Sequence, residues 1–141
     1  PPPKEISYFP KNGLKPGSIQ YFPEGLLGHQ FLKRGFQGTY VEKVEVKAGA
    51  EDKEIKLFLA IFKDSQEAMS TLKVYKDDLF KKGKVFSGSI IEFGTRALKG
   101  EDPYQGKVIV LQKGFYLLGV VGFEKEENAE NLLTEFIKNI K

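Results

Sequence analysis

Apolar residues over 54–63 occupy both sides of a two-residue period, with Ile55, Leu57, Leu59 and Ile61 on one side and Phe58, Ala60 and Phe62 on the other. A strand of that kind belongs inside a sheet covered on both faces. The preceding run, 36–47, alternates in its second half, Val44 and Val46 against Glu45 and Lys47, and the loop 48–53 between the two runs predicts a hairpin. Asp64 or Ser65 then caps a helix, with Glu67 at capping-box spacing from Asp64. Ala68, Leu72, Tyr75 and Leu79 form its buried stripe, and Lys81-Lys82-Gly83 ends it. Strands are expected over 85–97, 105–112 and 115–124, the last two joined tightly at Lys113-Gly114. A closing helix over 125–140 buries Ala129, Leu132, Leu133, Phe136 and Ile140.

Ahead of these elements, Pro10, Asn12-Gly13, Pro16-Gly17 and Pro23 punctuate an extended proline-rich arm, residues 1–23. Its rings, Tyr8, Phe9, Tyr21 and Phe22, are too many to leave in water and are expected to pack along the domain formed by 24–141. Leu27 and Phe31, four apart and followed by Gly35, suggest a first short helix over 24–34, against which Gly25 and Gly28 argue. The expected fold is therefore α+β, in the order α-β-β-α-β-β-β-α. Its mainly antiparallel sheet has helices on both faces, a three-layer α/β/α sandwich. A 61-residue shift lays Phe62 on Phe123, Ala68 on Ala129, Leu72 on Leu133 and Leu79 on Ile140. Any two strand-to-helix units on one sheet share that spacing, so it does not by itself mean a repeat.

Composition narrows the function more by exclusion than by signal. One core suffices for 141 residues, and 12 Phe with 6 Tyr and no Trp make large rings its main filling. Cysteine is absent, which removes disulfides, thiolate metal sites and cysteine nucleophiles. Lysine supplies all but two, Arg34 and Arg96, of the 22 basic residues, and 19 acidic residues are interspersed among them. That is a solvated surface rather than the arginine-rich face of a nucleic-acid reader, so no nucleic acid is expected. No apolar run reaches the roughly 20 residues of a membrane span, and no transmembrane segment is expected. The start, Pro1-Pro2-Pro3-Lys4, suggests processing or trimming and suits a stiff spacer. Abundant Lys and Glu, with no Cys and one Met, are compatible with a thermophilic source.

The segment YFPEGLLGHQFLKRGFQGTYVEKVEV, the strand-helix unit after it and the late EDPYQGKVIVLQKGFYLLGVVG resemble an uncharacterised family of small bacterial proteins, often exported or lipid-anchored. The resemblance implies a periplasmic or membrane-anchored extracytoplasmic location, with the cytoplasm as the alternative, and brings no activity or functional residues. More distantly, the strand, helix, three-strand meander and closing helix are similar to the fold of the photosystem oxygen-evolving accessory protein and a Ran-binding import factor. Both act by binding partners, an analogy of fold.

Individual residues carry competing readings. His29, the one histidine, is the residue type of a general base at neutral pH, but no nucleophile or orienting carboxylate is marked beside it. A surface or helix-capping histidine is the plainer reading. Carboxylates alone remain for a metal, and Glu51-Asp52 and Asp77-Asp78 are adjacent pairs whose members point apart, so they read as solvated charge. No metal or cofactor is expected. The glycines of 83–88 and 94–100 lack phosphate-loop spacing and read as strand bends. Arg96 suits a planar bidentate contact, with a ligand or with the nearby Asp102-Pro103-Tyr104. Tyr8, Phe9, Tyr21, Phe22 and Phe36 are core if packed and a recognition patch if exposed.

The expected function is a non-catalytic binding or interaction domain. Arg96, Tyr104, Asp102, His29 and Arg34, with the segment 24–36, border the site for a protein or small-molecule partner. The alternatives are a small enzyme using carboxylate and tyrosine chemistry, for which Glu92, Asp102 and Tyr104 are the residues to inspect, or a lysine-mediated binder of anionic surfaces.

Overall fold

The computed structural model describes residues 2–86, 91, 92 and 95–141, and only the backbone of Ile91, Glu92, Thr95 and Arg96. The chain is α+β. Strands β1 (Gln20–Phe22), β2 (Gly35–Val46), β3 (Gly49–Ile61), β4 (Lys84–Val85), β5 (Ile91–Glu92), β6 (Thr95–Asp102), β7 (Gly106–Lys113) and β8 (Tyr116–Val121) accompany helices α1 (Ser65–Lys82) and α2 (Glu126–Asn139). Seven strands lie in the order β1-β2-β3-β8-β7-β6-β4, with β5 against β6, and every pairing among them is antiparallel.

The doubly apolar strand β3 sits where its pattern requires, between β2 and β8, with Leu59 opposite Leu118. Its alternate residues divide between two cores. Leu57, Leu59 and Ile61 pack with Ile109, Leu111, Leu118 and, from α2, Ala129, Leu133 and Phe136. Phe58, Ala60 and Phe62 pack with Val110, Leu117 and, from α1, Ala68, Tyr75 and Leu79. The two stretches related by the 61-residue shift thus end in helices that serve different cores.

Helix α1 begins as its capping spacing predicts. The Glu67 amide donates to Asp64 Oδ1 at 2.8 Å, while Glu67 Oε1 accepts from the Lys63 amide at 3.1 Å. That amide and the Lys33 ammonium hold the Glu67 carboxyl below its usual pKa. Helix α2 has no such cap of its own. Glu42, 2 % exposed on β2, reaches it instead: Oε1 accepts from the Glu124 amide at 2.8 Å, and Oε2 from the Lys125 amide and Asn128 Nδ2, both at 2.9 Å.

Three expectations about the elements need correction. Residues 24–34 form no α-helix but two 3-10 turns, Leu26–Gly28 and Gln30–Leu32. Gly25, Leu27, Gly28 and Lys33 all have positive φ, so the backbone repeatedly leaves the right-handed region that a helix needs. Burial of Leu26, Leu27 and Leu32 holds this irregular segment in place. The loop expected over 48–53 is mostly strand, since β2 and β3 stay paired out to Val46 opposite Gly49. The strand expected over 85–97 is broken into β4, β5 and the start of β6, and β6 continues through Lys99, Gly100 and Glu101 to Asp102. Polar residues there hid a strand whose backbone is fully engaged with β7.

The N-terminal segment starts with a 3-10 turn, Lys4–Tyr8, and adds β1 to the sheet. Tyr8 and Phe9 are buried, the Phe9 ring centred 4.8 Å from that of Phe136 on α2. The Tyr40 hydroxyl donates to the Pro10 carbonyl at 2.5 Å, and Lys15 N–H to Thr39 O and Val41 N–H to Gly13 O tie the segment along β2. The first half of β2 is thereby paired on its outer side, up to Val41. Phe36 is buried and Phe22 half-buried, whereas Tyr21 is exposed.

Candidate functional site

The β6–β7 connection, Pro103-Tyr104-Gln105, is shaped by Asp102. Its Oδ1 accepts from the Tyr104 amide at 2.7 Å and the Gln105 amide at 3.0 Å, the local bonding for which aspartate is favoured at turns. Gln105 Nε2 then donates to the Leu27 carbonyl at 2.9 Å and fastens this turn to the irregular 25–33 segment. The last turns of α1 approach from the third side. Between the three elements lies a cleft of about 250 Å³, lined by Leu27, His29, Asp78, Lys82, Asp102 and Tyr104 among others.

His29 and Asp102, 73 positions apart in sequence (102 − 29), meet on one wall, with Nε2 to Oδ2 at 3.4 Å. The distance is that of an ion pair, but the alignment is not that of a hydrogen bond, and the buried Nε2 has no hydrogen-bond partner among the described residues. The imidazole stacks on Phe31, centroids 4.7 Å apart and planes at 21°, and both rings abut Tyr75 at 5.2 Å. Tyr75 is fully buried, and its hydroxyl likewise has no hydrogen-bond partner among the described residues. Burial first, then the charges of Asp102 and Asp78, push its pKa up. Asp78 itself pairs with Lys82 one turn on, at 3.4 Å. Tyr104 stands at the rim with 91 % of its surface exposed.

Of the residues singled out in the sequence, His29, Asp102 and Tyr104 come together here. His29 is not the surface or helix-capping residue of the plainer reading: its side chain is 15 % exposed and makes no cap hydrogen bond. Asp102 is engaged by His29 and by its own turn. Arg34 is exposed and lies outside the cleft lining. The side chains of Arg96 and Glu92, and the glycine-rich positions 87–90, 93 and 94, lie outside the described residues. Asp78, read as solvated charge, is half-buried on the cleft wall. Tyr75 and Lys82 were legible only as a core residue and a helix terminus. The signal that links them, a phenol three residues from one carboxylate and spatially near another, needs the tertiary fold.

A second cleft, about 310 Å³, opens beside Glu42 between β2 and α2 and is lined by Tyr40, Asn12, Asn128, Asn131 and Glu135 among others. Its most buried carboxylate, Glu42, is occupied with the helix N-terminus. Among the described residues no group of three or more His, Asp or Glu side chains is placed to hold a metal ion, and no helix is long and apolar enough to cross a membrane.

The buried tyrosines make stability depend on alkaline pH. Burial raises the pKa of Tyr40 and Tyr75 above the ordinary value of about 10. Their contribution is complete below that pH and is lost as pH rises further, because the unfolded chain then ionises phenols that the folded chain keeps neutral. Urea midpoints should therefore fall between about pH 8 and about pH 10.5, and fall less steeply in Tyr75→Phe. Parallel slopes in the two proteins would contradict this account. Near neutral pH Tyr75→Phe should cost less than about 1 kcal/mol, since it removes a hydroxyl with no hydrogen-bond partner among the described residues.

Fold and cleft together define an antiparallel α+β domain in which sequence-distant polar side chains converge on a small concave site. No protein-family model, curated protein or solved structure matches the chain.

Proposed function

We propose that this chain is a non-catalytic binding domain whose site is the cleft between the 25–33 segment, the end of α1 and the 102–105 turn. The observation that carries the reading is the meeting of His29, Asp102 and Tyr104 on that cleft, with a tyrosine ring standing free at its rim. Small-molecule and peptide sites combine such a concavity with a few placed polar groups and an aromatic anchor. The cavity is small for a drug-sized ligand, which favours a compact molecule or one side chain of a larger partner. The α/β/α layering belongs to the same reading, since α1 and α2 serve separate cores and leave the sheet-end loops for recognition. So does placement outside the bacterial cytoplasm, as an exported or lipid-anchored protein, which the family resemblance supports and cell fractionation tests.

A fragment screen followed by two-dimensional amide NMR tests the site. Hits should shift residues 27–29, 78–82 and 102–105, and Tyr104→Ala should weaken them by roughly tenfold at unchanged Tm. Shifts that cluster anywhere else would remove the cleft from consideration.

The His29–Asp102 contact supports a second reading, an acid–base enzyme in which the carboxylate orients the imidazole. Turnover of small ester substrates above the buffer rate, lost in His29→Gln and kept in Lys82→Ala, would replace the binding reading with this one.

A further inference from the structure

We propose that the cleft takes a primary ammonium group, from a small amine or from a lysine side chain, with Asp102 as its counter-ion. This rests on reading the cleft as the binding site and adds the chemistry of its ligand.

Asp102 Oδ1 is satisfied by two backbone amides, while among the described residues Oδ2 has only the misaligned His29 Nε2, at 3.4 Å. His29 Nε2, from the same cleft lining, has no hydrogen-bond partner among the described residues. A carboxylate oxygen accepts hydrogen bonds, and a primary ammonium has three N–H groups to give. A charge-assisted bond to the buried Asp102, whose side chain is 4 % exposed, is stronger than one between neutral groups.

The local field has the matching sign. Asp78 and Asp102 outnumber Lys82 on the cleft wall, so an anionic ligand would meet net repulsion. The rings of His29 and Tyr104 line the approach, and the Tyr104 face suits a cation. Lys82 gives the idea a sharp sign test. Its side chain is 70 % exposed, and its ammonium, 3.4 Å from Asp78, is a cation of the chain itself at the edge of the site. Removing it should help a cationic ligand and harm an anionic one.

The experiment titrates the intact chain with n-butylammonium, with n-butanol as its neutral counterpart, and with Nα-acetyl-lysine methylamide, read by amide NMR. The ammonium compounds should shift residues 27–29, 78–82 and 102–105, and butanol should not. Asp102→Asn keeps the Oδ1 acceptor for the turn and should weaken binding by roughly tenfold. Lys82→Ala should tighten it by about threefold. If Asp102→Asn unfolds, the Lys82→Ala comparison, at a largely exposed residue, carries the test alone. Tighter binding of the lysine derivative than of butylammonium assigns the group to a peptide partner, and the reverse order to a free amine. Equal shifts from butanol, or weaker binding in Lys82→Ala, would overturn the ammonium assignment while leaving the cleft a binding site. If neither these compounds nor any fragment perturbs the cleft, the binding reading falls as well.

Discussion

Glu42→Ala is expected to cost about 3 kcal/mol and to lower Tm by roughly 10 °C. The carboxylate is 2 % exposed and holds three donors at the start of α2, the Glu124 and Lys125 amides and the Asn128 side chain. They lie just before, at and within the first turn of α2, whose N-cap is Lys125, and the positive end of the helix dipole favours an anion there. Alanine removes the charge and all three acceptor contacts at once. Water entering from the adjacent cleft recovers part of the loss, which keeps the figure below the sum of three charged hydrogen bonds. Glu42→Gln retains one acceptor oxygen and should lose about half as much. Glu45→Ala, three residues along the same strand but exposed, should stay within about 0.5 kcal/mol of the parent. Chemical denaturation of the three variants checks the order, and a Glu42→Ala protein as stable as Glu45→Ala would refute the capping role.

The second large effect lies at the centre of the sheet. Gly119 on β8 pairs with Phe58 on β3 and Val110 on β7. A Cβ built there would stand 2.2 Å from the Ile109 carbonyl oxygen and 2.9 Å from Phe58 Cε1. Neither neighbour has room to yield, because the first is backbone of a paired strand and the second is a ring fully buried in the α1-side core. Gly119→Ala is therefore expected to destabilise by about 3 kcal/mol or more through strand displacement and off-rotamer packing. The ordinary penalty runs the other way, since glycine weakens strands and alanine should help. A Tm reduced by roughly 10 °C would show that close approach outweighs propensity here. A neutral or stabilised variant would show that the sheet relaxes around the methyl.

Both residues illustrate how much the chain discloses before it folds. Glu42 stands on the same alternating face of β2 as Phe36 and Tyr40, and a lone charge in an apolar row is a visible oddity. What satisfies it is not visible, because the acceptors' donors lie 82 to 86 positions away. Gly119 reads as an interior strand glycine, but the ring that covers it belongs to another strand.

The amino-acid sequence alone determined the elements whose signal is periodic and local. The doubly apolar β3, the Asp64 cap and stripe of α1, the closing α2 and the β7–β8 hairpin follow from side-chain spacing, because a strand sends successive side chains to opposite faces and a helix buries one stripe, and each leaves a regular trace. The α+β class follows with them. Tertiary structure decided the rest: the 25–33 segment, where positive φ at Gly25, Leu27, Gly28 and Lys33 defeats helical spacing; the strand through Lys99-Gly100-Glu101, held by pairing rather than by apolar pattern; and the cleft itself. His29, Tyr75, Asp78 and Asp102 carry no motif in common along the chain. Only the packing of α1 and the 102–105 turn around one irregular loop brings them together, and contacts between distant segments are set by the fold as a whole rather than by any local spacing.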